Sequence, residues 1–83
     1  MNIIIQPSAK RELKKFDQNI LEVILRKLNS IRNDPLKHII RLKASPLWKL
    51  RIGDYRAILM VDTGKQEINV IKIGHRKNIY KKK

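Results

Sequence analysis

Residues 48–56 read Trp-Lys-Leu-Arg-Ile-Gly-Asp-Tyr-Arg, and the fold of the chain is organised around this stretch. The first five residues alternate between apolar and basic side chains, which is the period of two expected for a β-strand with one buried face. Gly53-Asp54 is a turn signal, and the largely apolar run over 55–61 that follows it predicts a second strand. The stretch therefore predicts a tight β-hairpin.

A tight hairpin brings its basic residues close together if their side chains point the same way. These residues are Lys49, Arg51 and Arg56. Like charges on a rigid surface repel one another, and a polyanion lying across them would relieve the repulsion. This face is therefore the first candidate binding surface. The alternative is a solvated basic face that keeps the protein soluble, since charged residues alternate along most antiparallel strands.

The segments on either side of the hairpin predict an α+β domain in the order β-α-α-β-β-β. The β-branched run 3–5 predicts the first strand. Ser8 and Asp17 are good N-caps for two helices, over 9–16 and from 18 to about 32. Asn33-Asp34-Pro35 ends the second helix, and residues 36–46 are compatible with a loop that carries a short strand. The remaining strands are expected at 48–52, 55–61 and 67–73, with a turn over 62–65.

The predicted arrangement is an antiparallel sheet with a helical hairpin packed on one face. At most two or three residues separate the helices, so we expect them to return the chain to the end of the sheet that it left. The strand at 48–52 would then run antiparallel to the first strand, and the following strands would continue as an antiparallel meander. The apolar side chains of 48–52 would face the helices, leaving the hairpin's cations on the opposite face.

Composition indicates one folded domain, 1–83, with a polyanionic partner. The net charge is +13, from 20 Lys and Arg against 7 Asp and Glu, while 42% of the residues are hydrophobic, as in a folded protein. Such an excess points to nucleic acid, an anionic membrane or an acidic protein, and nucleic acid is the commonest of these partners.

Several other classes of protein and site are disfavoured. The chain has no cysteine, and its two histidines have no accompanying carboxylate cluster, so we expect no metal and no other cofactor. We find no glycine-rich phosphate loop and no Ser-His-Asp arrangement. No apolar run approaches the roughly 20 residues that span a bilayer, and Met1 to Gln6 lack the features of a signal peptide. We therefore expect a cytoplasmic protein that does not enter the membrane.

Two motifs together resemble a known family. Residues 48–56 are followed by Ile-Gly-His-Arg-Lys-Asn-Ile-Tyr at 73–80. These motifs, with the chain length, the early pair of helices and the Asp-Pro after the second helix, are similar to the RelE toxins of the RelE/ParE superfamily. Members of that group are the toxic halves of toxin–antitoxin pairs.

The resemblance implies an endoribonuclease, an mRNA interferase that enters the ribosomal A site and cuts the message there. In the family reaction the 2′-hydroxyl of the RNA attacks the adjacent phosphate, and no metal is required. The implied partners are a 70S-type ribosome, its mRNA and an acidic RelB-like antitoxin. The antitoxin would wrap the toxin through helices and a strand added at a sheet edge.

The same resemblance assigns the catalytic residues. The strand cations of the family correspond to Lys49 and Arg51, its Tyr-Arg arginine to Arg56, the arginine of its late Gly-x-Arg motif to Arg76, and its C-terminal tyrosine to Tyr80. Arginine stays protonated, so Lys49 is given the role of base, with Arg51 assisting. Arg56 and Arg76 would hold the phosphate and protonate or stabilise the leaving oxygen, while Tyr80 would stack on or orient a base.

The expected substrate-binding residues are Lys49, Arg51, His75 and Lys77, with His75 as a further candidate acid or base. Two other functions stay open on the same fold. One is a ParE-like, non-enzymatic inhibitor of DNA gyrase, although that branch generally lacks the cationic set with Tyr80. The other is an RNA- or ribosome-binding domain without catalytic activity, for which a basic face suffices.

Overall fold

A five-stranded sheet with two helices against one face forms the architecture of the computed structural model, which describes residues 1–75. The elements are β1 (Asn2–Ile5), α1 (Pro7–Leu13), α2 (Gln18–Ser30), a short 3₁₀ helix (Pro35–Lys37), β2 (Ile40–Arg41), β3 (Trp48–Ile52), β4 (Tyr55–Asp62) and β5 (Glu67–His75). The α+β class is confirmed, and so are the hairpin formed by β3 and β4 and the short strand between 36 and 46.

The strand order is β1-β5-β4-β3-β2, and the sheet is mixed. Neighbouring strands from β2 to β5 are antiparallel, whereas β1 pairs parallel with β5, with Asn2 opposite Glu67. The prediction of a wholly antiparallel sheet was therefore wrong at this edge.

The direction of β3 was also predicted wrongly, because the helices return the chain to the opposite end of β1. The ammonium group of Met1 donates a hydrogen bond to the carbonyl of Arg32 at 2.8 Å, so the end of α2 lies beside the start of β1. The seven residues of α1 extend only about 10 Å, too short for a full return along the sheet. Consequently β3 runs parallel to β1. The short strand β2, which precedes β3, runs antiparallel to both.

The helix starts were predicted with partial success. Asp17 caps α2 as expected, since its side chain accepts a hydrogen bond from the backbone N–H of Ile20 at 3.1 Å. The first helix begins earlier than expected, at Pro7, whose fixed φ and missing N–H suit a first turn. Ser8 lies inside that turn and is not the N-cap.

The core lies between the helices and one face of the sheet. Ala9 and Leu13 of α1 and Ile24 and Leu28 of α2 pack in one cluster with apolar residues from all the longer strands. The strand residues of that cluster that are essentially inaccessible are Leu50, Ile52, Ala57, Leu59, Ile68, Val70 and Ile73. Both helices therefore cover the same face of the sheet. None of the helices within residues 1–75 is long and apolar enough to cross a membrane.

Candidate nucleic-acid interface

The pleat of β3 sorts its side chains onto two faces, as the alternation predicts. Leu50 and Ile52 are 1% and 3% exposed in the core, and Trp48 packs against it. Lys49 and Arg51 alternate with these residues and therefore point to the opposite face, which we call the open face. The open face is the side of the sheet that α1 and α2 do not cover.

The hairpin brings three cations together on the open face. Arg51 lies directly opposite Arg56 in the β3–β4 ladder, and Lys49 lies two residues earlier on β3. Directly opposed residues have Cα atoms about 4.5–5.5 Å apart, so the Arg51 and Arg56 side chains leave the sheet side by side. The predicted clustering of Lys49, Arg51 and Arg56 is present in the structure.

The register of this pair depends on the turn at Gly53-Asp54. Ile52 pairs with Tyr55, so only two residues connect the strands. Gly53 has a φ of +59°, while Asp54 is not among the residues with positive φ. This pattern fits a type II′ turn, in which glycine occupies the first central position and the backbone twist matches that of the strands. A turn of fixed length sets the pairing of every residue behind it.

The guanidinium group of Arg56 is the most unusual feature of the open face. The residue is partly buried, and its Nε and Nη1 atoms are almost inaccessible. Among the described residues, none accepts a hydrogen bond from either atom. Buried donors are nearly always paired, and burying an unpaired charge is costly. An anion is the acceptor that guanidinium N–H groups bind most strongly.

A β-bulge in β5 determines which of its residues join this surface. The ladder pairs Ile58 with Lys72 and Leu59 with Val70, so Ile71 is the extra residue. Unbroken alternation from Ile68 and Val70 would turn Lys72 toward the helices. With the bulge, Lys72 instead lies on the open face.

The bulge is held by Ser8, a residue in the first turn of α1. The hydroxyl of Ser8 donates a hydrogen bond of 2.6 Å to the carbonyl of Ile71. A bulged residue leaves its backbone groups outside the regular ladder, and this bond supplies a partner for one of them. Ser8 therefore stabilises the backbone irregularity that orients Lys72.

Sequence reasoning missed Lys72 as a member of this surface. The side chain is exposed, it lies opposite Ile58 on β4, and Arg56 is opposite Gly74 on the same pair of strands. The available signal was the adjacent apolar pair Val70-Ile71, which breaks the period of two and marks a change of face.

His75 does not join the cations, although it was predicted to bind substrate. It is opposite Tyr55 in the ladder, and the two rings make an edge contact with centroids 5.4 Å apart. The ring of Tyr55 also makes an edge contact with that of Phe16, with centroids 5.2 Å apart. Tyr55 and Arg56 are consecutive strand residues and face opposite ways, so His75 lies on the helix-covered side. Arg76, Lys77 and Tyr80 lie outside the described residues, and their assigned roles stay predictions.

Charge is distributed unevenly along the open face. Lys49, Arg51, Arg56 and Lys72 occupy one end, while the carboxylates of Asp62 and Glu67 are opposite each other at the other end of β4 and β5. Within residues 1–75, no group of three His, Asp or Glu side chains could hold a metal ion. The basic end has the groups needed to bind a phosphate and to stabilise negative charge that develops on it.

A protein family matches most of the chain. The family described as "ParE toxin of type II toxin-antitoxin system, parDE" matches residues 3–80. The chain belongs to this family. It is thus a toxin of a type II toxin–antitoxin system, and the resemblance to the RelE/ParE superfamily is confirmed. A sequence search of curated proteins finds no match to this ParE-family chain.

Solved structures of related toxins share the fold. The complex RelBE2 from Mycobacterium tuberculosis matches with a TM-score of 0.81 and 20% identity, covering 90% of this chain and 96% of that chain. The RelBE complex of E. coli has a TM-score of 0.74 and 24% identity, covering 89% of this chain and 94% of that chain. The YoeB/ParE toxin from Agrobacterium tumefaciens has a TM-score of 0.71 and 17% identity, covering 90% of this chain and 98% of that chain. At these identities the likeness concerns the fold alone.

Proposed function

We propose that this toxin is a ribosome-dependent endoribonuclease that cuts mRNA in the A site. The observation that carries the proposal is the guanidinium group of Arg56, whose Nε and Nη1 donors are buried without an acceptor from the described residues. A phosphate of the RNA backbone would supply an acceptor when the Arg56 side chain turns outward to meet it, and it would also offset the repulsion between Arg56 and Arg51. The fold shared with RelE and YoeB toxins supports the same class of activity.

The proposed reaction is an internal transesterification of the RNA backbone. The 2′-hydroxyl attacks the adjacent phosphorus and gives its proton to Lys49, which acts as the base, while the bond from phosphorus to the 5′-oxygen breaks. The 5′-oxygen takes up a proton, so the products are a 2′,3′-cyclic phosphate and a free 5′-hydroxyl. Negative charge increases on the phosphoryl oxygens in the transition state, where Arg51 and Arg56 are positioned to stabilise it.

The ribosome is expected to supply what this small site lacks. A single acid or base typically contributes only 10²–10⁴-fold to a rate. Holding the 2′-hydroxyl in line with the leaving oxygen contributes far more, because it removes the entropy cost of reaching that geometry. A message fixed in the A site would already be held in one conformation. We therefore propose that cleavage needs the ribosome and occurs in the cytoplasm.

An acidic antitoxin is the proposed cellular partner. The net charge of +13 favours a partner of opposite sign. The related complexes from Mycobacterium tuberculosis and E. coli are toxin–antitoxin complexes. By the same logic we propose that a RelB-like antitoxin neutralises this toxin.

Inhibition of DNA gyrase is the second candidate function. It is favoured by the description of the matching family as ParE toxins. In that case the open face would serve as a protein-binding surface, and no RNA would be cut. The two functions predict different effects of adding the protein to translation and supercoiling reactions.

The test is primer extension on mRNA from a translation reaction that contains the purified toxin. We expect new message ends at the A-site codon. Arg56→Ala should lower the rate of cleavage about 10²–10³-fold, because one transition-state donor is lost. Arg56→Lys keeps the charge but removes the paired donors, so it should rescue only a small part of the activity.

The matched control is Arg11→Ala, which removes an exposed arginine from α1 and should leave the cleavage pattern intact. Circular dichroism of all three variants checks that the fold is retained. Intact message together with inhibited gyrase supercoiling would replace the proposal by the second candidate. Intact message with the toxin bound to ribosomes would indicate a binding domain without catalysis.

A further inference from the structure

One row of side chains crosses three strands of the open face beside Arg56. Lys49 on β3 is opposite Ile58 on β4, and Ile58 is opposite Lys72 on β5. Adjacent strands lie about 4.8 Å apart, so the two lysines stand about 10 Å apart across the sheet. Ile58, which is 8% exposed and lies outside the core cluster, occupies the position between them.

Lys72 borders Arg56 on the side away from Arg51. Arg56 has Arg51 opposite it on β3 and Gly74 opposite it on β5. Glycine contributes no side chain, and Lys72 is the next residue along β5 that shares this face. The cations are therefore arranged across the strands, with Arg51 and Lys49 on one side of Arg56 and Lys72 on the other.

Nothing in the ladder explains Lys72 as a structural ion pair. Its opposite residue is apolar, and its diagonal neighbour is Arg56. The carboxylates of this face, Asp62 and Glu67, begin about 15 Å away along β5 at 3.3 Å per residue. An exposed lysine held beside another cation, by a bulge that reverses its direction, is suited to bind an external anion.

We propose that Lys72 is an RNA-binding residue that holds the backbone phosphate next to the one at Arg56. This inference rests on the proposed function, because it takes RNA as the occupant of the open face. The RNA strand then crosses the sheet at right angles to the β-strands, from Lys49 and Arg51 over Arg56 to Lys72. The contact is made to phosphate, so it positions the RNA without reading its sequence.

The test measures binding of a single-stranded RNA whose 2′-hydroxyls are replaced by hydrogen, which prevents cleavage by this route. Fluorescence anisotropy between 50 and 200 mM salt gives the slope of the logarithm of the binding constant against the logarithm of salt concentration. Loss of one phosphate contact lowers the magnitude of that slope by about 0.7 for a single strand. We expect this change for Lys72→Gln and not for Lys72→Arg.

The matched control is Lys65→Gln, an exposed lysine in the turn between β4 and β5 at the acidic end of the sheet. Its slope should equal that of the wild type. An unchanged slope for Lys72→Gln, equal losses for both lysines, or no salt-dependent binding by the wild type would each overturn the proposal. The proposed function is decided separately by cleavage in the translation reaction, since the binding experiment contains no ribosome and no cleavable RNA.

Discussion

The two faces of the sheet differ in how their charges and apolar groups are satisfied. On the helix-covered face, Leu50, Ala57 and Leu59 are at most 1% exposed, and the aromatic ring of Tyr55 lies between two others. On the open face, Arg51 is directly opposite Arg56, and apolar Met60 is 42% exposed. The contacts on the helix-covered face stabilise the fold, whereas the pairing on the open face brings like charges together.

This difference separates a face that stabilises the fold from the face that we propose for binding. Burial of apolar surface drives folding, and the helix-covered face supplies it. Like charges placed directly opposite each other in a sheet are destabilising, so the open face is arranged at some cost. The negatively charged partner that we propose would account for that cost. The comparison can be tested on adjacent residues of the same strands.

The largest expected effect separates two consecutive residues of β4. Leu59→Ala removes a fully buried side chain and should lower the free energy of unfolding by about 2–5 kcal/mol. Met60→Ala, on the open face, should lower it by less than about 1 kcal/mol, because much of that side chain is already in water. Urea unfolding of both variants gives the two values. Equal losses would mean that the open face is packed as tightly as the core, which would contradict the difference between the two faces.

The next largest effect concerns the turn that sets the Arg51–Arg56 register. Gly53→Ala forces an alanine into a positive φ and should cost about 1–2 kcal/mol, lowering Tm by roughly 4–8 °C for each kcal/mol. A Cβ at Gly53 would meet no atom within 4 Å, so this cost comes from the backbone alone.

Gly64→Ala is the control for the turn variant. Gly64 has no positive φ, and its added Cβ would be 3.4 Å from Oδ1 of Asp62, an ordinary contact. Thermal unfolding should therefore show little change for Gly64→Ala. Similar losses at both glycines would contradict the assignment of strain to Gly53.

The smallest effect is a gain in stability on the open face. Arg51→Gln removes one of two opposed cations and should raise the free energy of unfolding by about 0.2–1 kcal/mol at low salt. The gain should disappear near 1 M salt, where the Debye length falls to about 3 Å. Lys65→Gln, a turn lysine, controls for the general reduction in net charge. A loss of stability for Arg51→Gln beyond that control would show that Arg51 makes a favourable contact.

The hairpin and its cations were predictable because the signals are local. Alternation along 48–52 and the Gly53-Asp54 turn fix both the facing of side chains and the pairing of Arg51 with Arg56. The cap of α2 at Asp17 was predictable for the same reason, since a capping side chain bonds within its own first turn.

The direction of β1 relative to the other strands was not predictable from local signals. Its partner β5 begins with Glu67, far along the chain, and sequence spacing does not encode that pairing. The short length of α1 decided the outcome, because the helical pattern was expected to continue to Phe16. A seven-residue helix leaves α2 alone to return the chain to the start of β1.

The face occupied by each residue of β5 was missed because one extra residue reverses it. An ordinary strand through Ile71 gives no reason to group Lys72 with Arg56, whereas the bulge places both on the open face. His75 was grouped with the cations through the motif that carries it, while the ladder turns it toward Tyr55. The bond from Ser8 to Ile71 joins residues 63 positions apart, beyond the range of any pattern along the chain.

The parallel pairing of β1 with β5 has a consequence for how the toxin is made. β5 lies inside the sheet, between β1 and β4, yet it follows every other described strand in order of synthesis. A nascent chain that has not yet emerged through Glu67–His75 lacks the strand that joins its first residues to the hairpin. Its hydrophobic cluster cannot close, and Arg56 has no neighbour on that side. We therefore expect a chain that is cut short before Glu67 to remain unfolded and to lack toxicity.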